Sequence, residues 1–117
     1  MRVLIVDDSE AMRRTIRTFI QDLVDEIAEC SSGAVALEHY ATFKPDWVLM
    51  DIKMKDMDGF TATREIKQAF ADARIVIITS YDEPSLREEA AAAGALAYVI
   101  KDKLRDLNDL LRRETNS

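Results

Sequence analysis

Four short apolar runs punctuate the chain: RVLIV at 2–6, DWVLM at 46–50, RIVIIT at 74–79 and LAYVI at 96–100. Each is brief and rich in Val, Ile and Leu, the composition of strands covered on both faces, so four central parallel strands are predicted. Helical spacing fills the gaps. Met12, Ile16, Phe19, Ile20 and Leu23 form one apolar stripe, and Phe60, Thr63, Ile66 and Phe70 form another. Leu37, Tyr40 and Ala41 predict a helix beginning near Ser32, whereas Leu86, Ala90 and Ala93 predict one entered through Pro84 and ended by Gly94. Leu104, Leu107 and Leu111 mark a last helix. EIAEC at 26–30 is apolar only at Ile27, Ala28 and Cys30, and reads as a shorter edge strand because the alternation needs one there. The result is βαβαβαβαβα, an α/β chain whose open parallel sheet carries helices on both faces.

Composition narrows this picture. With 117 residues, 48% of them apolar, the chain fits one domain over 1–117, and the polar end at 114–117 reads as a disordered tail. A net charge of −6 argues against direct contact with nucleic acid, where Lys and Arg would be in excess. One cysteine, Cys30, cannot form an internal disulfide. No apolar run approaches the ~20 residues of a membrane span, and Asp7 and Asp8 interrupt the N-terminal run too early for a signal peptide. A cytoplasmic protein without membrane insertion is expected.

The chemistry lies in how the strands end, because open parallel sheets bind ligands beyond the carboxyl ends of their strands. The first strand ends in Asp7 and Asp8, the third in Asp51 and the fourth in Thr79, while Lys101 follows the fifth. Carboxylates gathered at the end of a low-dielectric sheet resist ionising together unless a cation sits among them. Magnesium suits such a set, because it takes a few carboxylate oxygens, keeps several waters and draws other ligands from phosphate; Mn2+ is a substitute of similar preference. Asp51 is then a candidate nucleophile, Thr79 a donor to a phosphoryl oxygen, and Lys101 a neutraliser of developing charge. Together these residues read as phosphoryl transfer to Asp51.

LIVDDSEAMR, DWVLMDIKMKDMDG, VIITS and AGALAYVIK jointly resemble the receiver domain of bacterial two-component response regulators, in the form of the chemotaxis-type single-domain regulators. The resemblance implies a flavodoxin-like five-stranded sheet of order 2-1-3-4-5. It implies that a sensor histidine kinase, a phosphotransfer protein or a small acyl phosphate donates a phosphoryl group to Asp51. Asp8 and Asp51 match the direct magnesium ligands, Lys53 the residue lending a backbone carbonyl, and Asp7 the acid holding metal-bound water. Thr79 and Lys101 match the pair that contacts the phosphoryl group. Tyr98 matches the aromatic residue that turns inward with Thr79 and alters the face of the fourth helix, fifth strand and fifth helix, through which a downstream protein is regulated. A phosphorylation-dependent dimer belongs to the same set of expectations. Such a chain is a switch, and it catalyses only its own phosphotransfer and dephosphorylation. The start at Met1 just before the first strand and the short polar end favour a single-domain form over an excised N-terminal receiver.

Two departures stand out. Lys55 occupies a loop position where the family usually has proline, and Asp102 follows Lys101 where the family usually has a cis proline. A cis bond to a non-proline residue costs ~2.5–4 kcal/mol, so either a trans bond with a shifted loop or a strained cis bond is expected. Lys53 and Tyr81 occupy the positions that flank the path of hydrolytic water in the family, and their long side chains are expected to slow loss of the phosphoryl group. Plainer readings apply elsewhere. Asp8 or Ser9 could cap the first helix and Asp58 the third. His39 reads as a surface residue, Cys30 and Trp47 as packing. The main rival, a magnesium phosphatase of the haloacid dehalogenase type, needs a second aspartate where this chain has Lys53. A nucleotide-binding module needs a glycine-rich loop, and the whole chain has three glycines.

Overall fold

The computed structural model describes the backbone of residues 1–116 and the side chains of residues 1–113. The elements run β1 (Arg2–Val6), α1 (Glu10–Ile20), β2 (Glu26–Cys30), a short 3-10 turn (Gly33–Val35), α2 (Ala36–Phe43), β3 (Trp47–Met50), α3 (Gly59–Ala69), β4 (Ile75–Thr79), α4 (Pro84–Ala93), β5 (Ala97–Ile100), a second 3-10 turn (Lys101–Lys103) and α5 (Leu104–Asn116). The five strands are parallel, in the order β2-β1-β3-β4-β5; EIAEC forms one edge as predicted, whereas β5, read as a central strand, forms the other, with Ala97 and Tyr98 only half-buried. The helical backbone of α5 extends into the stretch read as a tail, of which Ser117 lies outside the described residues.

Strand alternation sorts the core into two layers. Leu4, Val6, Val48, Met50, Ile75 and Ile77 face one side, where Ala36, Phe60, Ile66 and Ala90 of α2, α3 and α4 cover them. Val3, Ile5, Trp47, Leu49, Val76 and Ile78 face the other, under Ile16 and Ile20 of α1 and Leu104, Leu107 and Leu111 of α5. Both faces of β1, β3 and β4 are thus covered, which is why these strands read as unbroken apolar runs. Cys30 and Trp47 are buried packing residues and His39 is exposed, as expected.

Helix ends follow local chemistry. Ser9 caps α1 by accepting from the Met12 amide (3.2 Å), Ser32 caps the first 3-10 turn, and Asp58 caps α3 through the Thr61 amide (2.9 Å). Pro84 opens α4, and Gly94 closes it at φ 104°, a left-handed conformation suited to glycine. Three members of the predicted stripes depart from expectation. α1 stops at Ile20, so Leu23 lies past the helix in a turn where its amide bonds the Ile20 carbonyl (2.9 Å). Phe19 is 44% exposed, because Ile16 and Ile20 already fill the face turned to the sheet. Phe70 is the residue after α3, and its exposed ring rests on Tyr40 with centroids 4.8 Å apart.

Candidate phosphoryl-transfer site

The chain leaves β1 for the edge strand on one side and returns to β3 on the other, so the order reverses between β1 and β3, and the carboxyl ends of these strands frame the crevice. β1 hands on to Asp7 and Asp8, and β3 hands on to Asp51. The Asp51 amide donates to the Val6 carbonyl (2.9 Å), which carries the strand pairing up to the acids themselves. Asp7, Asp8 and Asp51 each offer an oxygen, and these oxygens lie within 4.8 Å of one another. Because Ser9 does the capping of α1, Asp8 is left for the cluster.

Lys101 Nζ lies 3.2 Å from Asp7 Oδ2 and 3.2 Å from Asp51 Oδ1. Asp7 is 1% exposed and Asp51 7%, so one ammonium faces two buried acids, with the exposed Asp8 a third beside them. Burial, and then the charge of Asp7, push the Asp51 carboxyl above its ordinary range in spite of Lys101. Burial pulls the Lys101 ammonium down, but Asp51 and Asp7 together outweigh this and raise it. Asp7 Oδ2 is buried and accepts no aligned hydrogen bond, although the charge of Lys101 lies beside it. Hard oxygen donors, uncompensated charge and an unsatisfied oxygen fit Mg2+. Bound there, the ion would supply positive charge to the acids and to phosphoryl oxygens.

The Lys101–Asp102 bond is trans, since no cis peptide occurs among the described residues. Lys101 reaches both acids regardless, because it opens the 3-10 turn that leads into α5. Thr79 ends β4 at 1% exposure, and its Oγ1 accepts from the Tyr81 amide (3.3 Å). Lys53 Nζ donates to the Tyr81 hydroxyl (3.2 Å) and lies 4.3 Å from the centre of that ring. Tyr98 is half-buried, its hydroxyl donates to the Tyr81 carbonyl (2.6 Å), and the Arg87 guanidinium lies 4.6 Å from its ring centre.

Some contacts near the site had no local signal in the sequence. Asp56 accepts from the Ala34 amide (3.2 Å), the Met57 amide (2.9 Å) and the Ser32 hydroxyl, tying the loop after Asp51 to the turn before α2. This tie restrains a loop that has Lys55 in place of proline. Arg13 donates to the Asp7 carbonyl (2.7 Å). Gly59 closes the motif DWVLMDIKMKDMDG, and a Cβ there would lie 2.0 Å from the Asp51 carbonyl oxygen. Gly59→Ala is therefore expected to destabilise the fold by at least the ~1–3 kcal/mol typical of overpacking. Its denaturant midpoint should fall, and Mg2+ should recover less of the loss than it adds to the wild type.

The profile of the response regulator receiver domain family matches residues 3–112, and the chain belongs to that family. It is 42% identical to the chemotaxis protein CheY of Bacillus subtilis over 101 residues, covering 86% of this chain and 84% of that protein. It is 38% identical to the uncharacterized transcriptional regulatory protein YhcZ of the same organism, but spans only 49% of that protein's length. Among solved structures, Vibrio cholerae chemotaxis protein CheY4 is 26% identical and superposes with a TM-score of 0.87, covering 96% of each chain. The chain is a phosphorylation-activated signalling switch, which acts between a kinase and a downstream target; nothing supports the phosphatase alternative. No helix among the described residues is long and apolar enough to cross a membrane.

Proposed function

We propose that Asp51 accepts the phosphoryl group, and that Asp8, Asp51 and the Lys53 backbone carbonyl hold the magnesium ion, with Asp7 holding a water bound to it. The observation that carries this reading is the gathering of three carboxylates within 4.8 Å, with Lys101 Nζ 3.2 Å from both Asp7 and Asp51. An Asp51 oxygen attacks phosphorus, the bond to the donor's imidazole nitrogen or acyl oxygen breaks, and the donor leaves with the electron pair. Lys101 and Thr79 stabilise the charge that spreads over the phosphoryl oxygens. Acetyl phosphate with Mg2+ should add one phosphoryl group per chain at Asp51, read by peptide mass spectrometry, and EDTA should prevent it. Phosphate found on another residue, or full incorporation in EDTA, would overturn the assignment.

The switch follows from the same contacts. Thr79 is drawn toward the phosphoryl group, and the Tyr81 segment bonded to its hydroxyl moves with it. Tyr98, bonded to the Tyr81 carbonyl, then leaves its place beneath Arg87. Phosphorylation biases states that contact it differently, so this shifts an existing equilibrium. The readout is the face of α4, β5 and α5, where a groove lies beside Tyr98, Val99, Leu110 and Arg112. A downstream protein, or a second copy once phosphorylated, docks there.

Lys53 and Tyr81, in contact with each other, obstruct the approach of water to phospho-Asp51. Replacing both with alanine should speed decay of the phosphorylated chain severalfold, followed by loss of the phosphoryl mass after donor removal. An unchanged decay rate would count against the obstruction.

A further inference from the structure

We propose that Arg13 is a positioning residue: the Arg13–Glu29 pair, buttressed by Arg17, fixes the backbone turn that presents Asp7 and Asp8 to the metal ion. This rests on the magnesium site proposed above. Asp7 is held at three points besides its contact with Lys101. Its amide donates to the Cys30 carbonyl (3.0 Å), its Oδ1 accepts from the Ser9 amide (2.8 Å), and its carbonyl accepts from Arg13 Nη1 (2.7 Å). Only Oδ2 is left without an aligned hydrogen bond, and it is this oxygen that faces Lys101.

Arg13 reaches the Asp7 carbonyl because helical side chains lean toward the helix N-terminus, over the turn before their own Cα. Its Nε is anchored on Glu29 Oε1 (2.9 Å), and Arg17 grips the other oxygen of Glu29 through Nε (3.1 Å) and Nη2 (2.7 Å). Glu29 lies on the edge strand β2, one rung before Cys30. The edge strand therefore holds the acidic turn from two sides, through the Cys30 carbonyl and through Glu29. Asp8 is exposed, and its place in the cluster depends on that turn. The Arg13 guanidinium contacts the carbonyl of Asp7, and so it does not take the carboxylate oxygens that an ion needs.

The sign of one substitution separates this role from a mere charge effect. Removing a cation near an acidic cluster should tighten Mg2+ binding by electrostatics alone. Loss of positioning should weaken it, by about tenfold or more, the range seen when outer partners of metal ligands are removed. Isothermal titration calorimetry of Mg2+ on wild type, Arg13→Gln and Arg13→Lys reads the difference, with folding checked by circular dichroism. Weaker binding is expected for Arg13→Gln. Arg13→Lys keeps the charge but loses the fork that spans two acceptors, and should also bind more weakly than wild type. Unchanged or tighter binding by a folded Arg13→Gln would overturn the proposal. If that variant does not fold, wild-type affinity in Arg13→Lys would overturn it instead. A wild-type chain that binds no Mg2+ would sink the site reading itself.

Discussion

Asp51→Asn is expected to take up no phosphoryl group from acetyl phosphate and Mg2+, and to be more stable than the wild type in metal-free buffer at neutral pH. The first outcome follows from the proposed chemistry, since an amide nitrogen or oxygen is a poor nucleophile beside a carboxylate. The second follows from the electrostatics. Asp51 is buried and shares one ammonium with Asp7, so its carboxyl is raised above the ordinary range. The folded chain therefore holds the Asp51 proton more tightly than the unfolded chain does. This contribution to stability is present at low pH and is lost as pH rises through the folded value. Above the unfolded value Asp51 opposes folding, and the asparagine removes that opposition. Mg2+ should reverse the ranking by raising the thermal midpoint of the wild type and leaving that of Asp51→Asn nearly unmoved. Equal phosphoryl incorporation in the two chains would rule out Asp51 as the acceptor.

Lys101→Met should lose ~3 kcal/mol of stability in metal-free buffer, because removing one partner leaves Asp7 and Asp51 buried without their compensating charge. Chemical denaturation of the single variants and of Lys101→Met/Asp51→Asn forms a double-mutant cycle. The double variant should recover part of the loss, since one of the two stranded charges is gone. The pH dependence has its own signature. The raised Lys101 ammonium stabilises the fold fully below its unfolded value of 10.5, and this stabilisation is lost as pH climbs through the higher folded value. Lys101→Met should lack that alkaline loss. Phosphorylation by acetyl phosphate should slow on the order of a hundredfold, the scale of removing one preorganised donor from a transition state. A phosphorylation rate equal to the wild type's would remove Lys101 from the proposed chemistry.

The sequence by itself determined the framework. Strands covered on both faces must be apolar throughout, so β1, β3 and β4 were legible as runs, as was the apolar edge strand β5, and the residues at or just past the strand ends named Asp7, Asp8, Asp51, Thr79 and Lys101. The caps at Ser9, Asp58, Pro84 and Gly94 were legible because they depend on neighbours within one helical turn. Where the pattern misled, Leu23 and Phe70 lie beyond the ends of their helices, which periodicity does not mark, and Phe19 lies off the face that Ile16 and Ile20 turn to the sheet.

Only the tertiary structure decided how those named residues meet. That Lys101 reaches both acids across a trans bond to Asp102 depends on where the second 3-10 turn sits, and Asp102 alone left both peptide geometries open. The bond from Ser32 to Asp56 spans 24 residues, the one from Lys53 to Tyr81 spans 28, and Arg13 meets Glu29 across 16. Such contacts have no periodicity to announce them. They come from polar side chains of separate elements and loops brought together by apolar burial elsewhere. Hydrophobic order is written locally along a chain, and the pairing of charges is a property of the folded surface.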